Sequence, residues 1–337
     1  MIQSFAPYTI GARPPEDRPE ETAAMSLEDT TIGWIGAGRM GVALIRRLLD
    51  AGCDVAAWNR TRSKLDELAT AGVKVVDRAV DLADRDLVVT MVSSSDVFDA
   101  VTLGADGLLT GGSGPAVLID SSTVSVEASE RVRRKAAQVG TSVLAAPVSG
   151  NPKVVSSGRL TVVVSGPREA YERSSALLDL FGQKVTYVGQ GERARLVKIC
   201  HNLLLGIVTQ SLAEITVLAE RAGVPRHDFL EFLNNSVMGS TFSRYKTPAL
   251  VNLDFTPTFT GDLLRKDFEL GLEAGRQFDV PLPVSALVHQ MVVQLIGSGR
   301  GDVDFAALLE LQAELSGMDL VSEDVDVSDG LTPPEGG

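Results

Sequence analysis

Only two cysteines occur in the 337 residues, basic charge has no surplus, and the first residues form no long apolar run. Cys53 and Cys200 cannot build a disulfide framework, and they lack the paired Cys/His spacing of a zinc site, so no metal centre is expected. The formal charge of −13 is concentrated at the ends: residues 1–30 carry −4 and residues 310–337 carry −8, which leaves −1 for everything between. So neutral a body lacks the basic face that nucleic-acid phosphates require, which excludes a nucleic-acid partner. Met1 to Ile10 run into Gly11-Ala12-Arg13-Pro14-Pro15-Glu16-Asp17, too short and polar for a signal peptide or a membrane span. These absences imply a cytoplasmic chain in a reducing compartment with no membrane contact.

The length exceeds what one hydrophobic core usually organises, so two domains are expected. Residues 1–29 are rich in Pro, Glu and Asp without periodicity and read as a disordered tail, with Met25 as an alternative start. From residue 31, short apolar runs alternate with amphipathic segments. Thr31 to Ile35, Asp54 to Trp58, Val73 to Val76, Leu87 to Met91, Ala116 to Ile119 and Ser142 to Ala145 read as strands, and near-continuous apolar strands separated by helices imply a parallel sheet covered on both faces. Leu160 to Ser165 and Lys184 to Val188 are expected to extend that sheet. Beyond Gly189-Gln190-Gly191 the pattern becomes helical: Arg193 to Ala222 is one long apolar helix, and further helices follow to about Leu315, with breaks expected at Pro225, Pro248, Pro257 and Pro281. The expected architecture is α/β, a doubly wound Rossmann sheet at residues 30–190 followed by an all-α domain at residues 191–320 that opens with a long interdomain helix. Residues 321–337 return to acidic, Pro/Gly-rich composition and read as a second disordered tail.

Gly36-Ala37-Gly38-Arg39-Met40-Gly41 joins the first strand to the first helix. A bare GxGxxG string is weak, but this position is where glycines permit a tight turn, approach of a pyrophosphate, and close packing of helix on strand. Helix N-terminal amides then face the phosphate charge. The second strand ends in Asn59-Arg60-Thr61 where an acid would receive the adenosine ribose hydroxyls of NADH, and Arg60 can instead clamp a 2′-phosphate. NADP(H) is therefore expected over NAD(H).

Four separated motifs together resemble the β-hydroxyacid dehydrogenases, the family that includes 3-hydroxyisobutyrate dehydrogenase and the glyoxylate/succinic semialdehyde reductases and shares its helical domain type with 6-phosphogluconate dehydrogenase. They are the glycine turn with Asn59-Arg60-Thr61; Asp120-Ser121-Ser122-Thr123; Ala146-Pro147-Val148-Ser149-Gly150; and Gly191 onward through Lys198-Ile199-Cys200-His201-Asn202, with Lys266-Asp267 later. The resemblance implies reversible hydride transfer between a small 3-hydroxy acid and its aldehyde or keto form. Lys198 is then the general acid that protonates the developing alkoxide, or the base in the reverse direction. Asn202, four residues on, shares its helix face. Ser122, Ser149 and Gly150 are implied to bind the substrate carboxylate, and Asn151 and Asn202 are further substrate-binding candidates. Met91, Val92, Ser93, Thr123 and Lys266 are implied to contact the cofactor, Ser93 replacing the usual proline. Asn151 and Val154 depart from glycines, and His201 stands where many relatives carry asparagine. The apolar long helix and the resemblance both imply a homodimer or homotetramer. The competing readings are an imine reductase-like enzyme and a non-catalytic NADP-binding scaffold.

Overall fold

The computed structural model describes residues 27–331, so the expectations for residues 1–26, including the alternative start at Met25, and for residues 332–337 lie outside the described residues. Leu27–Asp29, expected within the first tail, form a short 3-10 turn whose Leu27 packs on the sheet domain.

The chain begins with β1 (Thr31–Ile35), α1 (Arg39–Asp50), β2 (Asp54–Trp58), α2 (Asp66–Thr70), β3 (Lys74–Val75), β4 (Leu87–Thr90), α3 (Ser95–Leu103), β5 (Val117–Asp120), α4 (Val126–Gln138) and β6 (Ser142–Ala145). These six strands form one parallel sheet in the order β3-β2-β1-β4-β5-β6. Side chains alternate between its faces. Leu87 and Val89 of β4 join a core with Leu44, Ile45 and Leu48 of α1, whereas Val88 between them joins Phe98 of α3 and Val132 of α4. Burial on both faces is why the strands read as unbroken apolar runs. The strand order reverses between β1 and β4, so their carboxyl ends open a crevice beside residues 36–41.

One expectation about the sheet is corrected. β7 (Val148–Ser149), which the sequence did not announce, pairs antiparallel with β8 (Thr161–Val164), and β8 pairs in parallel with β9 (Lys184–Tyr187) in a separate three-stranded sheet. Ala146-Pro147 turns the chain out of β6, the Pro147 carbonyl accepts from the Val163 amide, and an isolated Ala145–Ser165 bridge links the two sheets. Apart from that one bridge, β8 pairs with β7 and β9 rather than with β6. α5 (Pro152–Ser156) and α6 (Arg168–Phe181) lie within this second unit.

The helical half consists of α7 (Arg193–Arg221), α8 (Arg226–Asn235), α9 (Thr241–Asn252), α10 (Gly261–Gln277), α11 (Pro283–Gly297) and α12 (Leu308–Leu315). Pro248 lies inside α9 rather than ending a helix; the Ser240/Ser243 capping box holds its start and buried Leu250 and Val251 hold the turn beyond the proline. By length and composition α7 could cross a membrane, but half of its most apolar stretch is buried against the other helices.

Residues 321–331 are a second correction, because this acidic segment is packed. The Glu323 carboxylate accepts from the backbone amides of Arg226 and His227 at 2.6 and 3.0 Å, and the fully buried Arg226 guanidinium donates to the Val321 carbonyl. Asn252 exchanges two hydrogen bonds with the Val325 backbone, Arg159 donates to the Gly330 carbonyl at 2.7 Å, and Leu331 is buried in the sheet-domain core. Composition suggested solvation, but here Glu323 meets helix amides and Val325, Val327 and Leu331 meet core.

Candidate active site

The turn after β1 is shaped for an anion. Gly36 has φ +107°, and a Cβ there would overlap the Met91 carbonyl; one on Gly41 would overlap the Gly36 carbonyl. Gly38 differs: a Cβ would meet nothing within 4 Å, so the fold leaves open the space that a close-approaching ligand needs. Gly38 is also the N-cap of α1, no side chain caps it, and no acid lies in the first turn, so the unpaired first-turn amides face that space. The Asn59 carboxamide accepts from the Ala37 amide at 2.9 Å and donates to the Thr61 carbonyl, which locks the turn to the end of β2. An adjoining cavity of about 400 Å³ is lined by Gly38, Asn59, Arg60, Thr61, Lys64 and the Met91-Val92-Ser93 loop. Arg60 is exposed and has no hydrogen bond or ion pair among the described residues. Glycine cradle and uncapped helix fit a dinucleotide, with residues 36–41 shaped for its pyrophosphate.

A second cavity, about 600 Å³, opens between the sheet domain and the helices. Met40, Ser149, Gly150 and Asn151 form one side; Lys198, His201 and Asn202 of α7 form another; Phe242, Tyr245 and Phe259 close the far end. Lys198 has no hydrogen-bond or ion-pair partner among the described residues, and burial lowers its pKa from 10.5 to about 8, with the Lys266 ammonium adding to the fall and Asp267 opposing it. Desolvation disfavours the ammonium, which makes the amine available as a proton acceptor near neutral pH. Asp267 is 1% exposed and accepts from the Asn202 amide at 2.5 Å, while Lys266 lies 3.3 Å from its other oxygen and donates to the Thr123 carbonyl at 3.0 Å. Lys266 thus bridges the helical half to the turn after β5.

The start of α7 is held by a cluster that the sequence did not reveal. Arg195, 2% exposed, pairs with Asp120 at 2.8 Å and Glu192 at 2.6 Å, and donates to the Ser122 carbonyl and the Ser129 hydroxyl. Asp120 also accepts from Thr90 at 2.6 Å. One guanidinium therefore ties β5, α4 and α7 together and sets where Lys198, one helical turn later, stands. A buried-face arginine at the start of a largely apolar helix and an aspartate ending an apolar strand were the available signals.

Not every expected residue reaches the cavity. Ser122 is 2% exposed, its hydroxyl accepts from the Val92 amide at 2.9 Å, and it does not line the cavity with Lys198; it joins the loops after β4 and β5. Met40, expected at the cofactor turn, lines the second cavity. Arg39 donates to the Pro257 carbonyl and so links the glycine turn to the α9–α10 loop. Asn151 caps α5 by accepting from the Val154 amide at 3.0 Å, and Val154 packs where a Cβ on Gly150 would stand. The two departures from glycine thus shape the backbone that presents Ser149 and Gly150. Arg159 and the aromatic end wall were missed, since neither lies in a motif.

An anion-binding turn at a sheet switch point, beside a pocket holding a depressed lysine, defines a nicotinamide-dependent oxidoreductase with a Rossmann domain and an all-α second domain. Residues 31–189 match the family model for the NAD binding domain of 6-phosphogluconate dehydrogenase, and residues 189–312 match that for NAD-binding of NADP-dependent 3-hydroxyisobutyrate dehydrogenase. The chain is 33% identical to the oxidoreductase YfjR of Bacillus subtilis (strain 168), across 83% of this chain and 98% of that one. It is 32% identical to the L-threonate dehydrogenase of Cupriavidus necator, across 83% and 95%. The structure of 3-hydroxyisobutyrate dehydrogenase (ygbJ) from Salmonella typhimurium superposes with a TM-score of 0.76 at 25% identity, covering 84% of this chain and all of that one. The chain belongs to the β-hydroxyacid dehydrogenase family and is an NAD(P)-dependent oxidoreductase acting on a CH–OH group.

Proposed function

We propose that the protein is an NADPH-dependent reductase of small aldehyde or keto acids, working in reverse as a 3-hydroxy acid dehydrogenase, with Lys198 as its general acid and base. The observation that carries this reading is the unpartnered Lys198 amine on the wall of the interdomain cavity, its pKa lowered to about 8. Bound NADPH supplies the hydride. Lys198 as an ammonium polarises the substrate carbonyl and gives up the proton that the new alkoxide takes; as an amine it removes the hydroxyl proton in oxidation. Asn202, held by Asp267, keeps its face of α7 beside Lys198, and Gly150 and Ser149 face the substrate from the opposite wall. Residues 36–41, the 91–93 loop and Thr123 hold the cofactor, and Lys266 positions Thr123. Arg60, with Lys64 beside it and no acid ending β2, supports NADPH over NADH.

The protein works as a homodimer or homotetramer in the cytoplasm. Val197, Leu204, Ile215 and Leu218 are exposed along α7, an apolar stripe that a second copy covers, and the two cysteines are free thiols. NADPH consumption with succinic semialdehyde, glyoxylate, methylmalonate semialdehyde and a cyclic imine tests the activity, alongside NADH and Arg60→Ala. Turnover of an acid with NADPH, and loss of the NADPH preference in Arg60→Ala, is the expected result. Turnover of the imine alone, or tight NADPH binding with none of the four consumed, overturns the reading; a preference untouched in Arg60→Ala overturns the role of Arg60.

A further inference from the structure

We propose that His201 is a positioning residue that turns the Ser149 hydroxyl into a hydrogen-bond acceptor, so that the cavity selects hydroxy acids carrying a second hydroxyl group. The substrate class rests on the function proposed above; the hydrogen-bond sense does not.

The argument starts at Asp267, whose buried carboxylate only accepts. Its Oδ2 lies 2.5 Å from the Asn202 Nδ2, which fixes the carboxamide, because the opposite orientation would press an amide oxygen against a carboxylate. The Asn202 Oδ1 therefore points at the His201 Nδ1, 2.9 Å away. An amide oxygen cannot donate, so Nδ1 carries the proton. In a neutral ring Nε2 is then a bare lone pair. It lies 2.9 Å from the Ser149 Oγ, so the single hydroxyl proton of Ser149 goes to His201. Both Ser149 lone pairs are left for the cavity that Ser149 lines.

A serine in this state binds a donor and repels a carboxylate, the reverse of the role that the family resemblance implies for Ser149. The carboxylate is left to the other donors of the cavity wall, the exposed Arg159 guanidinium among them. The ring is neutral at neutral pH: although one edge is open to solvent, desolvation against the cavity wall and then the neighbouring Lys198 ammonium hold its pKa below the ordinary value, against the Asn202 hydrogen bond and Asp267. The charged and titratable groups around it are Lys198 on its own helix, Lys266 and Asp267 on α10, and Arg159 and Tyr245 on the remaining walls. Protonation at low pH makes Nε2 a donor, returns the Ser149 proton to the cavity and reverses the preference.

Two readouts test this. In uniformly ¹⁵N-labelled protein without cofactor, the ring nitrogens of His201, one of three histidines, are expected to show the Nδ1–H tautomer at neutral pH; the Nε2–H tautomer would overturn the proposal. In protein saturated with NADP⁺, calorimetric Kd values are compared for glycerate against 3-hydroxypropionate and 2,3-dihydroxybutyrate against 3-hydroxybutyrate. The member with the extra hydroxyl is expected to bind about 10-fold tighter. His201→Leu and Ser149→Ala should each abolish that difference, with no further loss in the double variant. Equal binding in the wild type, or a difference that survives His201→Leu, overturns the proposal. A difference in Kd without turnover of any acid supports the role of His201 and overturns the reductase reading instead.

Discussion

Replacing Asp267 and Lys266 is predicted to move the ionisation of Lys198 in opposite directions, because one carries the charge that steadies the ammonium and the other the charge that opposes it. The fall from 10.5 to about 8 corresponds to roughly 3.4 kcal/mol in favour of the neutral amine. At pH 7 that leaves about a tenth of the lysine unprotonated instead of about 0.03%, roughly 300-fold more general base. Reduction needs the ammonium, so its kcat/KM should be level at low pH and decline tenfold per pH unit above about 8; oxidation needs the amine and should rise to a plateau over the same range. Asp267→Asn removes an attraction and should shift both limbs down by roughly one pH unit, and Lys266→Met removes a repulsion and should shift them up. Stopped-flow pH profiles in both directions read the position of the limb independently of its height, so a lower rate in Lys266→Met does not obscure the result. Lys198→Ala should erase the limb and cost at least about 100-fold in rate while NADPH still binds. An alkaline limb at pH 10 or above, or a common direction of shift in the two variants, would refute the electrostatic account.

Ending the chain after Gly317 removes the Glu323, Val325 and Gly330 contacts and the burial of Leu331, whose side chain alone is worth about 2 kcal/mol, so the melting temperature should drop by several degrees; an unchanged melting curve would show that the segment contributes nothing. The same segment responds to pH: hydrogen bonding to Glu323 raises the His227 pKa, and despite its partial burial the bonds from His227 and Arg226 lower that of Glu323. Its stabilisation is therefore complete between the two ionisations, fading as pH falls through the Glu323 value and as it rises through that of His227. Replacing Leu204 and Leu218 together with glutamate should convert the assembly to monomers by light scattering, and a monomeric mass for the wild type would refute the interface on α7.

The legible parts were those written in neighbouring residues. The turn from Gly36 to Gly41 needs its glycines within six positions, since strand, turn and helix start are local, and Lys198 and Asn202 share a face because a helix repeats every 3.6 residues. The main sheet was legible for the same reason: β4 and β5 are buried on both faces and contain no exposed residue. The fate of Leu160 to Ser165 was not, because an apolar strand reads identically in either sheet and only the turn at Ala146-Pro147 directs it to β7. Ser122 shows the same limit, since a serine after a strand can face the ligand or the neighbouring loop, and the Val92 amide decided between them.

By itself the sequence determined the glycine turn between β1 and α1 and the order of sheet and helices, both of which arise from local geometry and apolar periodicity. Tertiary structure alone decided how the cavity beside Lys198 is furnished. His201 meets Ser149 across 52 positions, Asn202 meets Asp267 across 65, and Arg195 gathers residues from three elements. It also decided that the acidic segment at residues 321–331 is packed. Hydrogen bonds between distant segments leave no periodic trace in a chain, and whether an acid faces water or a helix amide is set by which surface the fold brings to it.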